Sequence, residues 1–594
     1  MENQSSPFRL AINMSGAISA GAYTAGVLDF LMEALEQWQL AKDAFSQQLA
    51  GHLPAVQNVV PLHGVCIDAF TGASAGGMCA AIAAAMVQGP FQHVTTGDEP
   101  LGYAQAPNLP NTFYDAWVNR IDIRELLKTD DLDNGQPLIS LLDCTILDTI
   151  AESALTLPQQ VERRPYVNPA LSLFLMLTNV RGVTYPLYVD ASMALEEHIA
   201  FYGDKLRFQI SSADNPPVDS TARPLPIDGT GPNAWPLLQQ AAKATGAVPL
   251  VLAPRELDRN FTDYAIPPWK RIDDSTNVGG AVPDFPPQGP GQPQVWTTLN
   301  VDGGLTDNDP MELANDFLAM TNPLASQDPI TGRLANPADP TKANRTVITI
   351  APFPAMDGYD SNYFNTTPSP SSLYVMLGRL LTVFLSQSRF LGETLSDLTQ
   401  SASFSRFIIA PSDPDLATVK PNEPALQCGT LGAFGGFLDR KFRKHDFLLG
   451  RRNCQKFLSS TFLLPVSNPI ITNGLKAAGP WAGSVLHFFK QGPPPSLPKS
   501  PPLPLDWMPI IPLCGSAIAE VPPPSREQMT EADLDGVVDL AMKRIKAVKD
   551  PLVSGAPWIL RALASIATSF LVAGSIKSAL KKTIRNSLGD NISP

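Results

Sequence analysis

Short apolar runs alternate with helical hydrophobic patterns over the first part of the chain. Phe8–Met14 is an apolar run of strand length, and after a loop of small residues, apolar residues recur at helical spacing between 27 and 35. Val65–Phe70 is a second short apolar run, which leads into a segment of strong helix formers. Because strand and helix alternate in this way, we predict a fold of the α/β class with a parallel sheet.

The pattern continues downstream. Further strands are predicted at Leu171–Val180, Val183–Asp190, Val295–Asp302, Thr346–Ile350 and Phe407–Ala410, and further helices at 235–246 and Leu373–Leu398. Arg181-Gly182 separates the first two of these runs, which predicts a hairpin or strand pair. Residues 262–294 are rich in Pro, Gly and Asp, so they are either a lid over a functional site or a variable surface loop.

Gly72-Ala73-Ser74-Ala75-Gly76 fits the pattern Gly-x-Ser-x-Gly at the junction of a predicted strand and a predicted helix. This context is typical of a nucleophile elbow, which exposes a serine hydroxyl near the positive end of the helix. Gly72 and Gly76 would allow the tight turn and the close passage of strand and helix. We predict a nucleophilic Ser74 exposed at the tip of the turn. The alternative is a Gly-rich turn in which Ser74 only caps the helix.

The loop of small residues at 15–21 follows the first strand. It lacks the Lys-Ser/Thr of a P-loop and the Gly-x-Gly-x-x-Gly spacing of a dinucleotide site. Its backbone N–H groups could instead bind a developing oxyanion beside Ser74, since both lie at the carboxyl edge of the sheet. Plain packing of small residues is the alternative.

Asp302 ends a predicted strand and is followed by Gly303 and Gly304. No helix follows that it could cap, and α/β folds carry their reactive groups at such strand ends. Asp309, by contrast, stands before a Pro and three residues before a Glu, the signature of a helix N-cap. We therefore predict a functional Asp302 and a structural Asp309.

Composition narrows the class of protein. The chain has 594 residues, of which 44% are hydrophobic and 17% charged, as in an ordinary globular protein with two or more structural units. The net charge of −13 argues against nucleic acid as a partner. Six scattered cysteines without a Cys-x-x-Cys indicate reduced, buried thiols and a cytoplasmic location, and no signal peptide pattern is seen. We find no metal-ligand cluster and no cofactor fingerprint, so neither is predicted.

Three motifs in this order resemble the patatin-like phospholipase family. They are the loop at 15–21, Gly-x-Ser-x-Gly at 72–76 and Asp-Gly-Gly at 302–304, with supporting segments at 25–28, 244–249 and 308–310. The resemblance covers residues 8–410 and implies a three-layer α/β/α fold with a central, mostly parallel sheet. One difference is the loop, which is usually Gly-Gly-Gly-x-Arg-Gly in the family and here is Gly-Ala-Ile-Ser-Ala-Gly at 16–21.

The resemblance also implies a Ser–Asp dyad, with Ser74 as nucleophile and Asp302 as proton acceptor. Burial would have to raise the pKa of the aspartate above its usual ~3.9 for it to act as a base. The predicted site consists of Ser74, Asp302, the oxyanion-loop residues Gly16, Ala17 and Ile18, the elbow glycines Gly72 and Gly76, and the turn glycines Gly303 and Gly304. None of the six histidines lies in a motif, and His445 alone merits a check.

Four regions are predicted along the chain: a patatin-like catalytic domain at 1–410, a mostly helical family-specific extension at 411–492, a Pro-rich connector at 493–530 and a helical tail at 531–594. Basic residues between 435 and 456 form either a solvated helix face or a contact with lipid headgroups. In the tail, an uncharged run at 562–576 is shorter than the ~20 residues that span a bilayer. The tail helix therefore either lies on a membrane surface or docks on the protein body.

These features predict a serine acyl hydrolase of the phospholipase A or lysophospholipase type. Its substrate would be a phospholipid or another acyl-ester lipid, and it would be cytoplasmic or peripheral at a membrane, with the C-terminal amphipathic helix as the contact. Because the 15–21 loop is altered, a lipid-binding module with little or no turnover is a second hypothesis. A third is an α/β-hydrolase with a histidine triad, which predicts that one histidine is essential.

Overall fold

The fold is taken from a computed structural model of the chain. It describes residues 6–51, 57–90, 92–94, 111–132, 137–158, 160–188, 196–217, 221–264, 283, 285, 295–327, 334–353, 388, 403–419, 423–491, 506–555 and 575–593. The helix predicted at 373–398 and most of the segment 262–294 lie outside these residues.

The strands, in chain order, are β1 (Phe8–Met14), β2 (Val65–Gly72), β3 (Val167–Tyr188), β4 (Glu196–Ser211), β5 (Ala222–Pro226), β6 (Arg255–Asn260), β7 (Val295–Asp302), β8 (Ser326–Gln327), β9 (Leu334–Ala335), β10 (Arg345–Ile350), β11 (Arg406–Ile409), β12 (Leu463–Pro465), β13 (Lys490–Gln491), β14 (Asp506–Pro509), β15 (Met529–Thr530) and β16 (Ile592–Ser593). Nine of them form one sheet in the order β11-β10-β1-β2-β3-β4-β5, with β7 beside β3 and β6 beside β7. The ladders from β11 to β3 are all parallel, while β4 and β7 run antiparallel to β3.

The main helices are α1 (Gly21–Ala50), α2 (Ser74–Met86), α3 (Thr145–Ala154), α4 (Trp235–Thr245), α5 (Met311–Met320), α6 (Arg440–Ser460), α7 (Pro469–Ala477), α8 (Glu531–Gly555) and α9 (Ser575–Leu588). Shorter helical segments lie at Thr112–Tyr114, Asp115–Arg120, Ile123–Leu126, Pro414–Val419, Thr430–Ala433 and Gly435–Leu438. Short 3-10 segments lie at Ile18–Ala20, Asp130–Leu132, Phe261–Tyr264, Gly303–Leu305, Gly515–Ile518 and Gly589–Asn591, and a longer one at Gly479–Phe488.

Side chains of β1 alternate between two apolar cores, one on each face of the sheet. Leu10 and Ile12 belong to the main core, together with α1, α2 and α6. Ala11 belongs to a smaller core with Ala69 of β2 and residues of α5. Because successive strand residues point to opposite faces, the helices cover the sheet on both sides. The predicted α/β class with a central, mostly parallel sheet is confirmed.

The hairpin predicted at Arg181-Gly182 is wrong. β3 runs without reversal from Val167 to Tyr188, and both of its halves pair with β4. The pairing register shifts between Thr178 and Val183, and Gly182 has a φ of +68°. Glycine takes up this left-handed conformation at low cost, so the polar pair forms a bulge inside one long strand rather than a turn.

The described part of the C-terminal tail docks against its own chain. Basic residues of α9 meet acidic residues of α8: Lys581 Nζ lies 2.6 Å from Asp535 and Arg585 Nε lies 3.0 Å from Glu531. β15 and β16 then pair in parallel, which fixes the last residues beside the start of α8. No described helix is both long enough and apolar enough to cross a membrane.

Three of the seven basic residues in the stretch at 435–456 are buried rather than solvated. Arg443 and Arg451 of α6 are fully buried, and Arg452 is buried too. Arg443 donates to the carbonyls of Val118 and Gly436, at 3.1 and 2.6 Å. Arg451 pairs with two carboxylates of α1. These arginines therefore tie α6 to the core. The other four basic residues of the stretch are exposed or half-buried, so a contact of those four with lipid headgroups stays a prediction.

Candidate active site

Ser74 stands at the junction of β2 and α2 in a strained conformation. Its φ is +53°, a left-handed value that non-glycine residues rarely adopt and that is concentrated at functional sites. Gly72 and Gly76 make this turn possible, because a Cβ on Gly76 would lie 2.1 Å from the Met14 carbonyl oxygen. Contrary to the expectation of an exposed tip, Ser74 is buried. The 13-residue helix α2 begins at Ser74, so the hydroxyl lies at its positive end.

Asp302 lies at the end of β7 with both carboxylate oxygens engaged. Ser74 Oγ donates to Oδ2 at 2.7 Å, and the Gly304 N–H donates to Oδ1 at 2.8 Å. The second contact caps a short 3-10 turn, so the expectation that Asp302 has nothing to cap was wrong. Gly303 is required for this geometry, since a Cβ there would lie 2.0 Å from the Met176 carbonyl oxygen.

Burial raises the pKa of Asp302 to about 6, although hydrogen bonds from Ser74 and Gly304 lower it. A base must be ionised to accept a proton, so we expect kcat/KM for an ester to fall about tenfold per pH unit below pH 6 and to level off above it. A pH–rate profile measures this. Asp307→Asn is the matched control, because burial raises the pKa of that nearby carboxyl to about 7 and the variant should keep the limb near pH 6. A rate independent of pH between 4 and 8 would contradict the assignment.

The loop after β1 is held against Ser74 by the turn after β7. Gly16 donates its N–H to the Asn308 carbonyl at 3.0 Å, and a Cβ on Gly16 would lie 3.1 Å from Ser74 Cβ. Asp309 accepts from the Ser15 hydroxyl at 2.9 Å and from the Asn13 amide. The predicted N-cap role of Asp309 was therefore wrong, because α5 begins at Met311 without a side-chain cap.

The same contacts restrict which N–H groups could bind an oxyanion. The Gly16 N–H already donates to Asn308, and the Ser74 N–H donates to Thr245 Oγ1 at 3.0 Å. Ala17 and Ile18 follow in the same loop, and Ile18 has a φ of +49°. A β-branched residue in this conformation is strained by roughly 1–2 kcal/mol. Ala17 and Ile18 both stand where the family pattern has a glycine, and of these two only Ile18 adopts the left-handed conformation that favours glycine.

Ser74 opens into an apolar cavity. Its walls include Met78, Trp117, Leu126, Leu147, Phe434 and Phe437. Two charged residues also line it, Lys243 and Arg255, and both lie within 3.0 Å of Asp148 Oδ1. This lining has the apolar character that would suit the hydrocarbon part of an acyl group whose carbonyl carbon lies at Ser74.

Two loops, 137–144 and 246–254, form one wall of this cavity. Leu141 N–H donates to the Leu250 carbonyl at 2.9 Å, which joins them. Leu142, one residue after Leu141, and Leu252, two residues after Leu250, line the cavity. From α8, Arg544 donates to the carbonyls of Leu141 and Lys128, at 3.0 and 2.5 Å, so the C-terminal region braces this wall.

The described histidines lie outside the cavity, and the cysteines are all buried. None of the five described histidines lines the cavity, and His445 instead lies 2.8 Å from Asp446 in the interior of α6. All six cysteines are free and buried, as predicted, and burial raises the pKa of the Cys79 and Cys428 thiols. No group of three His, Cys, Asp or Glu side chains in the described chain could hold a metal ion.

The sequence did not single out Thr245, Thr178 and Asn308, which position Ser74, Asp302 and the loop after β1. Thr245 accepts from the Ser74 N–H and donates to the Met176 carbonyl at 2.6 Å. Thr178 donates to the Asp302 carbonyl at 2.8 Å. The Asn308 carbonyl accepts from the Gly16 N–H, and Asn308 Oδ1 lies 2.5 Å from where a Cβ on Gly304 would stand. Thr245 and Asn308 lie in segments that resemble the family, so the signal was present for these two, whereas Thr178 lies inside a long strand without a motif.

The chain belongs to the patatin-like phospholipase family, whose model matches residues 13–315. At family level it is therefore placed among lipid acyl hydrolases. "Uncharacterized protein y4iI" of Sinorhizobium fredii (strain NBRC 101917 / NGR234) is 30% identical over 575 residues, which are 92% of this chain and 76% of that protein. A comparison with the crystal structure of VipD from Legionella pneumophila aligns 99% of this chain with 89% of the VipD chain at 11% identity. The TM-score is 0.19, which is too low to carry an argument.

Proposed function

We propose that this protein is a serine acyl hydrolase of the phospholipase A or lysophospholipase type that uses a Ser74–Asp302 dyad. The observation that carries the proposal is the 2.7 Å contact between Ser74 Oγ and Asp302 Oδ2 at the end of an apolar cavity. Family membership supports the class of reaction, and the raised pKa of Asp302 supports its use as a base.

The proposed reaction forms an acyl-enzyme. Ser74 Oγ attacks the ester carbonyl while Asp302 accepts the hydroxyl proton, and N–H groups of Ala17, Ile18 and Ala75 bind the oxyanion. The carbon–oxygen bond to the alcohol then breaks, and the alcohol leaves with the proton from Asp302. Water adds to the acyl-enzyme as Asp302 accepts its proton, the fatty acid leaves, and Ser74 regains the proton.

A serine-reactive alkyl phosphonate tests this proposal directly. We expect the wild type to gain the mass of one phosphonyl group at Ser74 and to release fatty acid from a phospholipid, because Asp302 activates the hydroxyl. Ser74→Ala should do neither.

The second candidate is a lipid-binding module with little turnover. It is favoured by the Gly16 N–H, which already donates to the Asn308 carbonyl and is therefore not available to bind an oxyanion. Phospholipid binding without labelling or fatty-acid release would support that candidate and contradict the hydrolase.

A further inference from the structure

Three leucine and isoleucine side chains stand in solvent on the two loops that wall the cavity. Leu250 is 79% exposed, Ile139 is 64% exposed and Leu141 is 40% exposed. We call these three residues the apolar rim. Leu141 and Leu250 are joined by a 2.9 Å backbone hydrogen bond, and Ile139 lies two residues before Leu141 on the same loop, so the three residues belong to one region of the surface.

The backbone that places Leu250 of the rim in solvent is sterically strained. Leu250 has a φ of +69°, which a leucine adopts only against steric resistance. Arg544 binds the carbonyls of Leu141 and Lys128 and is itself buried, which fixes the neighbouring loop. Neither the strain nor the exposure stabilises the folded chain, and exposed apolar patches of this kind are typical of binding surfaces.

Charges beside the rim are largely paired. Arg544 is buried and pairs with Asp131, and Lys128 lies 2.6 Å from Glu125. The rim is therefore an apolar surface with mostly neutralised flanks, and it adjoins the cavity that opens at Ser74. Such a surface complements the headgroup and acyl boundary of a phospholipid bilayer.

We propose that the apolar rim is the surface by which this protein docks on a phospholipid bilayer. The same loops line the cavity with Leu142 and Leu252, so an acyl chain leaving the bilayer would pass along them toward Ser74. The proposal rests on the proposed function for its purpose, but the docking itself can be measured without turnover.

The test uses vesicles of phosphatidylcholine and phosphatidylglycerol. We expect Ile139→Ser with Leu250→Asn, made in the inactive Ser74→Ala protein, to lower vesicle partitioning in a sedimentation assay at least tenfold. Asn tolerates the left-handed φ at 250, so the loop should keep its path. Ile518→Ser is the matched control, since Ile518 is 66% exposed but lies outside these loops. In the active protein, the ratio of vesicle hydrolysis to hydrolysis of a soluble short-chain ester should fall by the same factor.

The outcomes separate this inference from the proposed function. Partitioning that is unchanged in the double variant, or lowered equally by Ile518→Ser, overturns the docking surface. A double variant that loses self-association while it keeps vesicle binding also overturns it, because a second copy of the chain is then the occupant. If no ester is hydrolysed but the tenfold loss of partitioning is seen, the hydrolase proposal fails and the docking surface stands.

Discussion

Asp302→Asn should lower kcat for a soluble short-chain ester by about 10³-fold and leave KM almost unchanged. An amide cannot accept the Ser74 proton, but it can keep hydrogen bonds to Ser74 Oγ and to the Gly304 N–H, which lie 2.7 and 2.8 Å from the carboxylate. The neutral side chain also avoids the burial of a charge that raises the pKa of Asp302. The variant should therefore unfold at the same temperature as the wild type or higher. Initial rates and thermal unfolding measure the two effects.

Asp307→Asn is the matched control for this experiment. Asp307 is a half-buried carboxyl five residues downstream whose pKa is also raised by desolvation, but it makes no hydrogen bond with Ser74 in the structure. We expect this variant to keep the activity within a few-fold of the wild type. If Asp302→Asn retained more than a tenth of the wild-type kcat, another group would have to accept the proton, and the dyad would be excluded.

Arg451→Met should lower the free energy of unfolding by about 3–5 kcal/mol. Arg451 of α6 pairs with Asp29 and with Glu33 Oε2, the latter at 2.6 Å, and all three side chains are buried. Burial alone would raise the pKa of Asp29, but Arg451, His93 and Asn111 lower it on balance. Asp29 therefore stabilises the fold at neutral pH through its charge, and this contribution is lost as the pH falls through its folded-state pKa. Removing the guanidinium leaves the carboxylates of Asp29 and Glu33 buried, with too little positive charge nearby to offset their desolvation.

Urea denaturation measures this loss, with Arg585→Met as the control. Arg585 also pairs with a carboxylate, Glu531 at 3.0 Å, but its side chain is 57% exposed. Solvent screens such a pair, so the control should change the free energy of unfolding by less than about 1 kcal/mol. Equal effects of the two substitutions would show that burial does not set the strength of the Arg451 pairs.

The chemistry-bearing turns could be predicted from the sequence because each is a local pattern. Gly-x-Ser-x-Gly encodes the turn at Ser74 in five adjacent residues, and the strand that ends at Asp302 is followed by two glycines, of which Gly303 is required by the nearby backbone. Such local patterns predict a turn without knowledge of the rest of the fold. The proton-acceptor role of Asp302 itself came from the family resemblance and remains a prediction.

What could not be predicted depends on residues distant in sequence. Asp309 carried every local sign of an N-cap, yet its carboxylate accepts from Ser15, 294 positions earlier in the chain. Arg451 looked like part of a solvated basic helix until α1 supplied two carboxylates, more than 400 positions away. Local propensity cannot reveal such partners, because the desolvation of a charge is decided by the whole fold.

The brace from Arg544 has a consequence for how this protein can evolve. Arg544 lies in the last tenth of the chain, yet the backbone it holds belongs to a loop more than 400 positions earlier. Recombination that exchanged the C-terminal region between relatives would bring in a helix fitted to another loop. Arg544 also pairs with the Asp131 carboxylate. The two segments are therefore expected to be inherited together, and substitutions at position 544 should appear in the same lineages as substitutions at 131.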